Sequence, residues 1–87
     1  MQSVKIYSTK ICPFCTRVKQ FFDQKGVSYS EIDLTNDDAA RAKLVEQTNH
    51  RTVPQVFIGD TFVGGYDDVV RLDGEGEIDR LLGGEVS

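Results

Sequence analysis

The sequence predicts an α/β domain built on a mixed four-stranded sheet, with elements in the order βαβαββα. Three observations predict it. Apolar residues alternate every second position in some segments and every three to four in others. A Gly59-Asp60 pair separates two short β-type runs, and both cysteines of the chain fall where a strand pattern gives way to a helix pattern. Val4 to Ser8 reads as the first strand, with Val4 and Ile6 alternating against Lys5 and Tyr7. From Pro13 the apolar residues Phe14, Cys15, Val18, Phe21 and Phe22 form one stripe of helical period, and Arg17, Lys19, Gln20, Asp23 and Gln24 lie off it. Pro13 suits a first helical turn, where its missing N–H leaves no bond unmade, and Gly26 is the natural left-handed stop.

Ser28 to Asp33 is a second, more polar strand, expected at a sheet edge. Asp37 or Asp38 caps a second helix through Ala39, Ala40, Leu44 and Val45, with Asn49 as its left-handed C-terminal residue. Gln55 to Ile58 and Thr61 to Val63 are then two strands of a tight hairpin. Asp67-Asp68 opens a final helical stretch through Val69, Val70 and Leu72, broken at Gly74 and resumed from Glu75 to Leu82. A helix between the first two strands makes them parallel by right-handed crossover, and the hairpin adds two antiparallel strands. No repeat, linker or low-complexity segment appears, so one domain over residues 1–87 is expected.

Composition removes several classes of function. The ten Lys and Arg residues are scattered against fourteen Asp and Glu, for a net charge of −4, and no basic stripe marks a nucleic-acid partner. Met1 to Tyr7 is polar, and no stretch approaches the ~20 apolar residues of a membrane span. A cytoplasmic protein with no membrane partner is expected.

Cys12-Pro13-Phe14-Cys15 carries the chemistry. Two intervening residues on a first helical turn bring the sulfurs close enough to join. Cys12, at the open end of the turn, has its sulfur near unpaired backbone N–H groups and the positive end of the helix dipole, which favour thiolate over thiol. Cys12 is therefore the nucleophile and Cys15 the resolving thiol. Zinc needs four ligands, and the chain offers no further cysteine and one histidine, His50, so no metal is expected. A permanent structural disulfide would close a very short loop and restrain the unfolded chain little. A CxxC after the first strand of a βαβ pattern reads instead as a thioredoxin-like redox site.

Other residues have two readings each. Pro54, after Thr52 and Val53, either ends a loop or forms a cis peptide that turns the Val53 N–H and C=O toward an extended, peptide-like ligand. Gly64-Gly65-Tyr66-Asp67-Asp68 supplies either unusual dihedrals and a helix cap, or a helix N-terminus for a carboxylate and an Asp for an ammonium group. Lys10 and Arg51 are solvated charges or the holders of a second carboxylate. His50 reads as a loop residue.

Together, Lys10 to Cys15, Arg51 to Ile58 and Gly64 to Asp68 resemble, in order and spacing, the three signatures of a dithiol glutaredoxin, and the likeness spans essentially the whole chain. The resemblance implies the thioredoxin fold, a glutathione-dependent thiol–disulfide oxidoreductase activity, and glutathione as co-substrate with no tightly bound cofactor. It implies disulfide-containing or glutathionylated proteins as further partners, and a monomer. By position it makes Val53 the backbone partner of the cysteinyl unit, after Thr52 and before a cis Pro54. Lys10 and Arg51 face the glycyl carboxylate, Phe14 flanks the groove, and Gly65, Asp67 and Asp68 hold the γ-glutamyl end. Two positions depart from the pattern: Phe14 stands where many relatives have Tyr, and Tyr66 where they often have Cys or Ser. Two rivals stay open. One is a [2Fe–2S] module held by Cys12 of two subunits and two glutathiones, against which Pro13 weighs. The other is a thioredoxin-type reductant fed by a flavoenzyme, which has no need of charges at Lys10, Asp67 and Asp68.

Overall fold

The computed structural model describes residues 2–83, in the order β1 (Val4–Ser8), α1 (Pro13–Lys25), β2 (Ser30–Asp33), α2 (Asp38–Thr48), β3 (Gln55–Ile58), β4 (Thr61–Gly64), α3 (Tyr66–Gly74) and α4 (Glu77–Leu81). Met1 and residues 84–87, which the expected 1–87 domain includes, lie outside the described residues. The strands lie in the order β2-β1-β3-β4. β1 pairs parallel with β2 and antiparallel with β3, and β3 pairs antiparallel with β4. This is the mixed sheet that the sequence predicts, with the polar β2 at an edge.

Strand alternation divides the molecule into layers. Ile6 stands opposite Val56 and Val4 opposite Ile58, all on one face. There they pack against Val18 and Phe22 of α1, Val69 of α3, and Ile78 and Leu82. The opposite face carries a row of rings, Tyr7 on Phe57 at 5.7 Å and Phe57 on Phe62 at 5.2 Å between centroids. The buried line of α1 is narrower than the apolar stripe: Cys15, Val18 and Phe22 are buried, Phe21 is half-buried and Phe14 is exposed. Phe14 belongs to the first turn and faces a groove rather than the core.

Boundaries differ from the sequence reading where ladders or caps decide. β2 begins at Ser30, because that residue is the first to find a partner, Lys5, on β1. Gly64 joins β4 opposite Val56 across a register shift that leaves Val63 as an extra residue turned into the core. Asp67-Asp68 does not cap α3. Gly65 is the N-cap, and the Asp68 carboxylate reaches back from the third helical position to accept the Gly65 N–H at 3.1 Å. The break after α3 falls at Gly76, φ 79°, so Gly74 ends the helix and α4 starts at Glu77. Gly59, φ 60°, takes the first central position of the hairpin turn as a II′ geometry requires.

A polar triad ties α1 to the sheet. The buried Ser8 hydroxyl donates to Glu31 Oε2 at 2.6 Å, and Lys19 of α1 meets the same oxygen at 2.9 Å. The Ser8 hydrogen bond first, then the Lys19 hydrogen bond, hold the Glu31 carboxyl below the usual glutamate range, against a smaller opposing effect of burial. A depressed carboxylate stabilises the fold above its unfolded-state range and loses that contribution as pH falls through its folded-state range. We therefore expect wild type to exceed Glu31→Gln in thermal stability at neutral pH by less than about 1 kcal/mol, since the pair is partly solvated. The difference should shrink in a melting series as pH falls below the ordinary glutamate range and through the depressed range of the folded carboxyl.

Candidate active site

Cys12 is the N-cap of α1. Its backbone is extended, and its sulfur accepts the Cys15 N–H at 3.1 Å. Pro13 follows at the first helical position, where no N–H is needed. Cys12 and Cys15 are joined as a disulfide, their Cα atoms 5.2 Å apart. Cys12 is half-buried, whereas Cys15 is 1% exposed, so an incoming reagent meets Cys12 first.

The loop before β3 comes up against this sulfur. Val53-Pro54 is a cis peptide, and the Val53 carbonyl oxygen lies 3.7 Å from Cys12 Sγ. Beside it opens a groove of about 390 Å³ lined by Phe14, His50, Thr52, Val53, Pro54, Gly65, Tyr66, Asp67 and Asp68. Gly64, φ 120°, makes the turn into α3, and a Cβ there would collide with the Asp68 carboxylate, meeting its Cγ at 2.8 Å. Gly65 has an ordinary backbone, φ −93°, so only the first glycine of the pair is needed for its dihedrals.

The predicted residues thus separate into two groups. Phe14, Thr52, Val53, Pro54, Gly65, Asp67 and Asp68 converge on one groove, whereas Lys10 and Arg51 are not part of its lining. Lys10 is exposed, its backbone N–H held at 2.8 Å by Thr35 Oγ1. Arg51 lies in a separate recess with Asp38, Arg41, Ala42 and Val45, and Arg41 donates to the Arg51 carbonyl at 3.4 Å. Sequence reading missed His50 and Tyr66 as lining residues. His50 is set over the groove by an edge-on contact with Phe62, 5.0 Å between centroids, which its sequence position between Asn49 and Arg51 does not signal. Tyr66 stacks on Phe14 at 5.9 Å, and Arg17 sits over the Phe14 ring at 5.3 Å. The two positions that depart from the glutaredoxin pattern are therefore in contact.

A bond between residues only three apart restrains little of the unfolded chain, so its placement at an accessible helix N-terminus serves reversible redox exchange. Fold and site together define a thiol–disulfide oxidoreductase of the thioredoxin fold. Comparison with known proteins narrows the class. The glutaredoxin family model matches residues 4–63. A glutaredoxin of Pseudomonas aeruginosa is 44% identical over 82 residues, 94% of this chain and 98% of that protein. Glutaredoxin 3 of Escherichia coli is 39% identical over 82 residues, 94% of this chain and 99% of its own. The crystal structure of a buckwheat glutaredoxin–glutathione complex superposes with a TM-score of 0.88 at 38% identity, covering 94% of this chain and 77% of that one. The chain belongs to the glutaredoxin family.

Proposed function

We propose that this protein reduces glutathione mixed disulfides and protein disulfides through Cys12 and Cys15 with glutathione as co-substrate. On this reading it acts in the cytoplasm as a one-domain monomer over residues 1–87, without a tightly bound cofactor. The observation that carries the reading is the groove beside Cys12, whose lining brings together seven of the residues that the resemblance assigns to glutathione. A similar fold in complex with glutathione supports it.

The groove's chemistry suits a γ-glutamyl peptide. Backbone N–H groups at the start of α3 suit the carboxylate, and Asp67 and Asp68 suit the ammonium group beside it. The cysteinyl unit lies along Val53, which points its sulfur at Cys12. Ile11 is 92% exposed and Phe14 49%, an apolar rim next to Cys12 that suits a protein substrate.

In the reduced protein, the helix dipole and the Cys15 N–H stabilise a Cys12 thiolate. This thiolate attacks the glutathione sulfur of a mixed disulfide. The S–S bond breaks, the substrate thiolate leaves and takes a proton from solvent, and a Cys12–glutathione disulfide remains. A second glutathione thiolate then attacks the bound glutathione sulfur, releasing oxidised glutathione and restoring the Cys12 thiolate. Alternatively Cys15 loses its proton and attacks Cys12, expelling glutathione thiolate and forming the disulfide present in this structure. Two further glutathione molecules supply the electrons that reopen it.

Charge removal tests the groove. Asp68→Asn keeps an oxygen for the Gly65 N–H while deleting the charge, and Lys10→Ala removes a cation outside the groove. Charge-assisted contacts contribute about 1.5–3 kcal/mol when shielded, so Asp68→Asn is expected to raise the KM for glutathione roughly tenfold or more. Exposed Lys10 is expected to give a smaller rise. Unchanged steady-state kinetics in both variants would return these residues to surface charges and remove the reading's support.

A further inference from the structure

We infer that Gln55 is a positioning residue for substrate binding, its buried amide setting the direction in which the Val53 N–H points. Gln55 opens β3, where its backbone is fixed opposite Tyr7 of β1, and it is 2% exposed. Its Nε2 donates to the carbonyls of His50 at 2.8 Å and Thr52 at 3.1 Å, and its Oε1 lies 2.9 Å from the hydroxyl of Thr48, the last residue of α2. The same hydroxyl accepts the His50 N–H at 3.2 Å. One side chain thus ties the end of α2 and two carbonyls of the loop to the rigid sheet.

The consequence follows from peptide geometry. Among the described residues the only cis bond is Val53-Pro54, so the Thr52–Val53 peptide is trans, with its C=O and N–H pointing in opposite directions. Gln55 draws the Thr52 C=O inward, and this turns the Val53 N–H outward, on the side of the groove that Val53 lines. No hydrogen bond within the described residues takes up that N–H. It is left available to an extended ligand, as the carbonyl of a peptide-like substrate requires.

The amide is specific to this task. The two carbonyls call for two N–H donors on one side chain, which the Gln NH₂ supplies, while its Oε1 shares the Thr48 hydroxyl proton with the Leu44 carbonyl, 3.0 Å from that hydroxyl; Asn is one methylene too short. A purely apolar residue would suit a face already filled by Tyr7, Phe57 and Phe62, but would leave the two carbonyls without their donor.

The test rests on the glutathione reading and is arranged so that the two fail separately. Wild type, Gln55→Met and Gln55→Glu are compared on a glutathionylated peptide with glutathione, glutathione reductase and NADPH, alongside the pH dependence of Cys12 alkylation. Gln55→Met is expected to raise the KM for the peptide roughly tenfold, about the worth of one well-placed hydrogen bond, at every pH. The alkylation profile should stay that of wild type, because α1 and not the loop sets the Cys12 thiolate. In Gln55→Glu the ionised carboxylate has no donor for the carbonyls, while its protonated form regains one. Its KM defect, as a ratio to wild type at each pH, should shrink as pH falls from 8 to 5.5, since burial raises a carboxyl's range. A folded Gln55→Met with wild-type KM, or a Gln55→Glu defect independent of pH, would overturn the inference; if Gln55→Met does not fold, Gln55→Glu decides alone. Wild type inactive on the glutathionylated peptide would defeat the glutathione reading instead. The variants would then be ranked on a protein disulfide, whose extended chain meets the same Val53 N–H, and equal KM values there would overturn the inference.

Discussion

Cys12→Ser is expected to abolish disulfide reduction in an assay coupled to glutathione, glutathione reductase and NADPH, while Cys15→Ser keeps or increases turnover of glutathione mixed disulfides. The asymmetry comes from the two environments. Cys12 caps α1 and its sulfur already receives the Cys15 N–H, whereas Cys15 lies inside the first turn, is sealed from solvent and has no access to the positive end of the helix. Serine at position 12 leaves no accessible thiolate at all. Serine at position 15 blocks closure of the Cys12–Cys15 bond, so every Cys12–glutathione disulfide is released by a second glutathione and none is diverted into the internal disulfide. Protein disulfides should fare worse in Cys15→Ser, since the neighbouring thiol speeds their release. Equal losses in both variants on glutathionylated substrate would contradict the assignment of roles.

Phe22→Ala is expected to produce the largest loss of stability. Phe22 has no exposed surface, packs edge-on against Phe21 at 5.1 Å, and joins α1 to the core between β1, β3 and α3. Truncating a buried Phe removes about 3–5 kcal/mol, a large part of the ~5–15 kcal/mol available to a small domain. At ~4–8 °C per kcal/mol for a chain of this size, Tm should fall by about 12–40 °C in calorimetry. Phe14→Ala provides the contrast. Its ring is 49% exposed on the groove, so Tm should change by a few degrees at most while glutathione kinetics weaken. A Phe22→Ala variant melting within about 5 °C of wild type would show that the core is not organised around this ring.

Much of this was readable in the residues because local chemistry determined it. Pro13 at a first turn, Gly26 in the left-handed region at φ 72° and Asn49 at φ 62° mark helix ends through backbone constraints that act within a few residues, and each stands where its type predicts. The CxxC likewise declares its own geometry. Legibility fails where a partner distant in sequence decides. Asp68 reads as a helix-opening acid or an ammonium ligand, yet its carboxylate also reaches back to accept the Gly65 N–H and fills the space that a Gly64 side chain would need. Lys10 and Arg51 flank the right motifs but stand outside the groove, since loop direction is set by contacts such as Lys10 N–H to Thr35 that no periodicity reveals. Gln55 sits in a strand pattern that says only that it alternates with Val56. Its burial and its three partners depend on how the loop after α2 folds back.

The most direct test of the central claim, that Cys12 is the thiol that exchanges with glutathione, is to trap the intermediate. Cys15→Ser is incubated with oxidised glutathione at neutral pH, and the intact protein and its peptides are analysed by mass spectrometry without reductant. The account predicts one glutathionyl group per chain, located on Cys12 and removed by added glutathione, with no adduct on the lone Cys15 of a folded Cys12→Ser. A Cys15→Ser protein that stays unmodified, or a Cys12→Ser protein glutathionylated as readily on Cys15, would contradict it.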